Sequence, residues 1–193
     1  MCNIDLEKLR FLQEMGLRAA MLSAIARQPF YKDMPTNTKE ERKANNEMID
    51  KVSNRWRELL LSYKGKYQQN KNLSINDFIS DVLQLQNEMT KDEFKDYYNE
   101  PGFSLGRAQK SLSIFLKYLW LYGEIDTPPA CPIDRDVLNK AKKINKNISI
   151  EKWTTLDDET EYRKILDALK SIAVKHESIA VWELKEFNED KID

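Results

Sequence analysis

One histidine, His176, and two widely separated cysteines, Cys2 and Cys131, are too few to assemble a zinc site, an iron–sulfur cluster or a Ser-His-Asp triad. The cysteines could form at most one bridge, and both are read as free thiols in a reducing compartment. Five glycines and six prolines are sparse for 193 residues, which disfavours turn-rich β architectures, and no phosphate-cradling glycine loop occurs. No apolar run approaches the roughly 20 residues a membrane span needs, and the first residues lack the basic-then-apolar pattern of a signal peptide. The expectation is a cytoplasmic protein with no membrane partner, no metal and no cofactor. A net charge of −1 argues against a nucleic-acid binder that works by bulk charge alone.

What is present is a globular composition, 41% hydrophobic and 33% charged. Abundant Leu, Lys and Glu favour helices. Apolar residues recur at three- and four-residue spacing in several segments. In residues 5–27 the stripe reads Leu6, Leu9, Leu12, Met15, Ala19, Leu22 and Ile25. In 39–63 it reads Ile49, Val52, Trp56, Leu59, Leu60 and Tyr63, with Gly65 as the stop. Ser74 with Asp77, and Thr90 with Glu93, have the spacing of capping boxes that start two further helices. Residues 135–144, 157–175 and 178–187 supply the remainder. The predicted fold is all-α: a single domain over 1–193, six to eight helices, with a division into lobes at 1–99 and 100–193 as a variant.

Residues 105–122 stand apart from the other helical segments. One face collects Leu105, Ala108, Leu112, Phe115, Leu116 and Leu119, and the opposite face still holds Ile114, Tyr118 and Leu121. A helix apolar nearly all round is packed on both sides, so this one is expected at the centre of the domain. Lys110 and Lys117 share its less apolar face. Further on, Pro128, Pro129 and Pro132 hold the chain extended up to Asp134, which stands where the next helix begins. Five lysines between 140 and 152 (Lys140, Lys142, Lys143, Lys146 and Lys152) face a single acid, Glu151. Such a patch can touch phosphates on an otherwise neutral protein, or serve simply as a solvated helix end.

The run Gly102-Phe103-Ser104-Leu105-Gly106-Arg107-Ala108-Gln109-Lys110, the apolar helix after it, and Cys131-Pro132-Ile133-Asp134 resemble the helix-hairpin-helix DNA glycosylase and lyase superfamily, in particular its 8-oxoguanine branches. The resemblance spans roughly residues 101–138. It departs from the family spacing, in which two glycines lie two residues apart with the lysine two further on. Here Gly102 and Gly106 are four apart and Lys110 is four beyond.

The resemblance implies duplex DNA as partner. Lys110 would be the nucleophile at C1′ of a damaged nucleotide and Asp134 the assisting carboxylate, with a glycine-containing hairpin at Gly102, Gly106 and Arg107 gripping the backbone. Lys117 would lower the pKa of Lys110 or touch phosphate, and Lys140, Lys142, Lys143 and Lys146 would contact the backbone. The chemistry asks for these residue types. An amine attacks only when deprotonated, which apolar surroundings or a neighbouring cation favour. A carboxylate at a helix N-terminus stays ionised and can stabilise an oxocarbenium-like sugar. Trp120, Phe103 and Tyr118 are available to stack on a flipped base.

The plainer readings are a Lys110 that snorkels to water, an Asp134 that only caps a helix, a Cys131 that is a small buried residue and a His176 that caps a helix C-terminus. The alternative function is a non-catalytic module whose amphipathic helices bind a protein partner or a second copy of the chain.

Overall fold

A computed structural model describes residues 3–25, 30–32 and 35–189. It is 72% helical, with eight α-helices and no strand among the described residues. These are α1 (Asn3–Ile25), α2 (Lys39–Gln69), α3 (Ile75–Met89), α4 (Asp92–Lys95), α5 (Leu105–Leu121), α6 (Arg135–Ile144), α7 (Glu159–Ile172) and α8 (Ile179–Glu189), with 3₁₀ turns at Trp153–Thr155 and Ala173–Lys175. No helix among the described residues is long and apolar enough to cross a membrane.

The central place expected for α5 is what the structure shows. It packs against α1, α2, α3 and the Trp153–Thr155 turn, and its Leu105, Ala108, Leu112, Phe115, Leu116 and Leu119 are buried. Above its first turn, Phe30, Trp56, Tyr98 and Phe103 interlock with ring centroids 4.9 to 6.2 Å apart. The indole N–H of Trp56 donates to the Ser111 hydroxyl of α5 at 2.8 Å, which leaves no orphan donor under the cluster.

Local signals set most helix starts. Thr38 caps α2 and Ser74 caps α3, each in a reciprocal capping box with Glu41 and Asp77. Three expectations fail, two for tertiary reasons and one for a local reason. α2 runs through Gly65 to Gln69, because Lys66 and Tyr67 both reach the buried Asp81 of α3, at 2.5 and 3.0 Å. Those bonds offset the roughly 1 kcal/mol an interior glycine costs. Thr90 does not open α4. Its hydroxyl turns back to the Gln86 carbonyl at 2.9 Å and ends α3, and α4 starts from Lys91 with no side-chain cap. On α1 the buried face is Gly16, Leu17, Ala20 and Ala24, whereas Leu6, Met15 and Leu22 of the expected stripe are exposed. The choice of face follows from close approach: a Cβ built on Gly16 would lie 3.0 Å from Cβ of Tyr118 on α5, a spacing that only a small-residue face permits.

The first turn of α5 is fixed by the loop before α7. Leu105 N–H donates to the Asp157 carboxylate at 3.0 Å, Gly106 N–H to the Leu156 carbonyl at 2.8 Å, and Ser104 Oγ to the Thr154 carbonyl at 2.7 Å. A Cβ on Gly106 would come within 1.7 Å of the Trp153 carbonyl oxygen, which is backbone and cannot swing aside. Gly106→Ala should therefore destabilise the fold by about 3 kcal/mol, even though alanine is the better helix former. Urea denaturation followed by circular dichroism measures it, and a neutral or stabilising result would refute this packing.

Candidate functional site

Two segments meet at the site. α5 presents Lys110 in its second turn, and the proline-rich stretch after α5 delivers Asp134 to the start of α6. Lys110 Nζ lies 3.2 Å from Asp134 Oδ2, across 24 residues of sequence. The other oxygen, Oδ1, accepts the amides of Asp136 and Val137 at 3.0 Å each, so one carboxylate caps α6 and pairs with the lysine at the same time. Burial pushes the Asp134 carboxyl up, but the Lys110 ammonium and the two α6 amides outweigh it and hold the group below the usual carboxylate range. Lys110 is 8% exposed, and its ammonium also faces the Trp153 ring, 5.6 Å from the centroid.

The pairing depends on Gln109, the residue beside Lys110. This side chain is fully buried. It donates to the Ile133 carbonyl at 2.8 Å and accepts the Ile133 N–H at 3.0 Å, with a second donation to Gly106 O at 3.0 Å. Such a two-way clamp satisfies a buried backbone segment that has no sheet or helix to join. It fixes the residue before Asp134 against the residue before Lys110.

A second ion pair lies further along the same helix. Lys117 Nζ sits 3.0 and 2.7 Å from the two oxygens of Glu183 on α8, with Phe187 stacked over the ammonium at 4.7 Å. Cys131 is buried, and the charges of Glu183, Lys117, Asp134 and Lys110 all bear on it. The two pairs therefore flank one thiol, which burial, joined by the Glu183 carboxylate, pushes well above its ordinary pKa and keeps protonated. This agrees with the reading of Cys131 as a small buried residue rather than a nucleophile.

Other expected site residues lie elsewhere. Arg107 is fully enclosed: Nη1 donates to the Ala24 carbonyl at 2.7 Å, near the C-terminal end of α1, and the guanidinium lies 4.9 Å from the Phe30 centroid. Its Nε and Nη2 have no partner among the described residues, and burial pushes its pKa down. Gly106 spends its amide on Leu156, inside the protein. Neither is on a surface that could meet a phosphate, because helix α5 is buried from its first turn.

Gly102 is half-buried with φ +73, in a turn where its N–H reaches Asn99 O at 2.7 Å. Lys140 is paired with Glu186 and lies 5.6 Å from the Trp182 centroid, and Lys142 is 3.1 Å from Glu151. Lys143 and Lys146 stand exposed with no ion pair among the described residues. Phe103 is buried in the aromatic cluster, away from any stacking role, while Tyr118 and Trp120 are half-buried. His176 is the C-cap residue of the Ala173–Lys175 turn through its backbone N–H, 2.8 Å from the Ala173 carbonyl, while its ring Nδ1 has no hydrogen-bond partner among the described residues. No group of His, Cys, Asp and Glu suited to a metal ion occurs among the described residues.

Sequence reasoning passed over Gln109, Trp153 and Glu183. Gln109 had a signal, a polar side chain in a helix buried all round, which demands an internal partner. Glu183 had none, lying 66 residues from Lys117.

Comparison with protein-family models, with curated proteins and with solved structures finds no match to this chain. The functional reading therefore stands on the geometry.

Two stability measurements test that geometry. Gln109→Leu leaves both polar groups of Ile133 buried and unpaired, so it should cost about 3 kcal/mol, while the near-isosteric Gln109→Glu should disturb Asp134 by adding a second acid beside it. A depressed carboxyl contributes stability that is present above about pH 4 and lost as pH falls through the lowered pKa. Asp134→Asn, which still caps α6, should accordingly show a small deficit at pH 7 that vanishes as pH falls through the lowered Asp134 pKa. Asp134→Ala should carry an additional deficit of about 1 kcal/mol at pH 7 for the lost cap. Equal losses for Asn and Ala would mean that capping is not a separate contribution.

Proposed function

We propose that this chain is a DNA-binding helical protein of the helix-hairpin-helix glycosylase and lyase kind, in which Lys110 attacks C1′ of a flipped nucleotide and Asp134 supports the reaction. The observation that carries the reading is the Lys110–Asp134 pair, a nearly buried amine 3.2 Å from a carboxylate anchored on a helix N-terminus. A purely structural cap needs no lysine, and a snorkelling lysine needs no carboxylate 24 residues away. Enclosing the Lys110 ammonium, whose side chain is 10% exposed beside the 42% exposed Asp134, has a desolvation cost that pairing offsets, and a reactive amine next to an ionised acid is one function that such an arrangement serves.

In this mechanism Lys110 gives up a proton before or during attack. Its nitrogen forms a bond to C1′ while the N-glycosidic bond breaks, and the electron pair and a proton leave with the base. Asp134, held ionised by the α6 amides, stabilises the positive charge that develops on the sugar. The Gln109 clamp is a positioning element that keeps the two groups in register. Trp153, half-buried and beside the Lys110 ammonium, is the aromatic surface nearest the reacting amine. Backbone contacts fall to Lys143 and Lys146, since Lys140 and Lys142 are engaged with acids. Few open lysines on a neutral protein imply modest affinity with a shallow salt dependence.

A second reading, a non-catalytic protein-interaction module, is favoured by one observation, the large apolar side chains exposed on α1.

Borohydride trapping on duplexes carrying an abasic site or an oxidised base separates the two. The native chain should form a covalent adduct and Lys110→Gln none, while Asp134→Asn should slow adduct formation by about 10²-fold or more. Absence of any adduct together with absence of salt-sensitive DNA binding would discard the enzymatic reading in favour of the interaction module.

A further inference from the structure

Helix α1 has two apolar faces, and only one of them is used. Gly16, Leu17, Ala20 and Ala24 pack inward. Ile4, Phe11, Met15 and Leu22 lie within an arc of about 40° on the opposite side at 100° per residue, and they are 57%, 64%, 43% and 63% exposed. These are the larger side chains of the helix. Scattered apolar residues on a surface need no explanation, but four aligned on one ridge along a 23-residue helix form a seam. Their spacing of seven, then four, then seven is that of alternating positions in a helix pair.

The seam reads the same in both directions. Ile4 and Leu22 stand at equal distances from Gln13, and so do Phe11 and Met15. A second α1 laid antiparallel across the first about a twofold axis at Gln13 sets each Ile4 against a Leu22 and each Phe11 against a Met15. The charges follow the same symmetry. Glu7 and Arg18 lie on the same edge of the seam, about 20° apart on the helix and 11 residues apart in sequence. In an antiparallel pair related by that axis, like edges meet, so Arg18 of each copy comes beside Glu7 of the other. Both are available for this. Glu7 and its local partner Arg10 are more than half exposed, and Arg18, 71% exposed, approaches Glu14 only to 3.6 Å. Glu14 itself is held by Arg57 of α2, so Arg18 is its secondary partner.

We propose that the exposed face of α1 docks a second copy of this chain, forming an antiparallel, twofold-symmetric helix pair through Ile4, Phe11, Met15 and Leu22 with reciprocal Glu7–Arg18 ion pairs. The interface is isologous and therefore closes at two copies. It lies on the side of α1 turned away from α5, so it leaves Lys110 and Asp134 untouched and is independent of any reaction they perform.

Sedimentation velocity on the full chain from about 1 to 200 µM tests the proposal, with a dissociation constant on the order of micromolar expected for a seam of this size. Phe11→Asp should give a monomer at every concentration while its helical circular dichroism and melting temperature stay within reach of the parent, because Phe11 is 64% exposed in the protomer. Glu7→Arg alone and Arg18→Glu alone should each weaken the dimer about tenfold or more, and the double reversal should restore it. A native chain that stays monomeric at 200 µM overturns the proposal. So does a dimer indifferent to Phe11→Asp, or a double reversal no stronger than the single ones. If the native chain is monomeric and instead sediments with phosphatidylcholine–phosphatidylglycerol vesicles in a Phe11-dependent way, the face meets a lipid surface and the proposal fails.

Discussion

Burial of α5, complete from Leu105 to Ser113 and partial beyond it, is the constraint from which the rest of the molecule follows. A helix with so little solvent face has to find internal partners for the polar groups it carries, because each one left unpaired costs about 1–3 kcal/mol. Ser111 takes the Trp56 indole, Gln109 takes both polar groups of Ile133, Lys110 takes Asp134, and Lys117 takes Glu183. Each partner comes from a different part of the chain. The helix thereby gathers α2, the proline-rich connection, the start of α6 and α8 around a polar line inside an otherwise apolar core. Arg107 and Ser113 are the exceptions on that line: the buried Ser113 hydroxyl and two Arg107 guanidinium nitrogens are unpartnered among the described residues, and only the α1 terminus and the Phe30 ring offset the arginine's charge.

That line has a chemical consequence. Apart from Arg107, its charges come as compensated pairs, Lys110 with Asp134 and Lys117 with Glu183. A ligand that approached Lys110 would have to compete with Asp134, or engage the two as a unit. The hairpin that the glycosylase resemblance assigned to DNA is turned inward at Gly106 and Arg107, while the lysine and aspartate it assigned to chemistry are together. The Lys110–Asp134 pair and the glycine-containing segment before it are therefore structurally separate in this chain. A half-buried ion pair can persist on packing grounds alone if its surroundings compensate both charges, which here they do through the α6 amides and the Trp153 ring.

Helix α1 illustrates the opposite situation. Its contact with α5 is so close that only glycine, alanine and one leucine fit between the axes. The large side chains that a hydrophobic count would send to the core are displaced to the far side. Steric fit, rather than hydrophobicity, decided which face is buried, and the surplus apolar face is the result.

The positions and types of the helices were legible in the sequence because they rest on short-range physics. Ser74 and Asp77 are three residues apart, Asp134 needs only the next three amides, and the period of α5 is visible within its own residues. Where a helix faces and what its polar groups meet could not be read that way. Gly65 looks like a terminator until Asp81 is known to hold the turn beyond it, and Leu22 looks buried until Tyr118 is seen against Gly16. Lys110 and Asp134 were recognisable as residues of interest, yet their pairing waited on the clamp between Gln109 and Ile133. The sequence by itself determined an all-α chain with a doubly buried central helix, because periodicity and capping act within a few residues. Tertiary structure alone decided which faces are buried, which lysines are paired and where the site forms, because those depend on contacts spanning up to 83 residues.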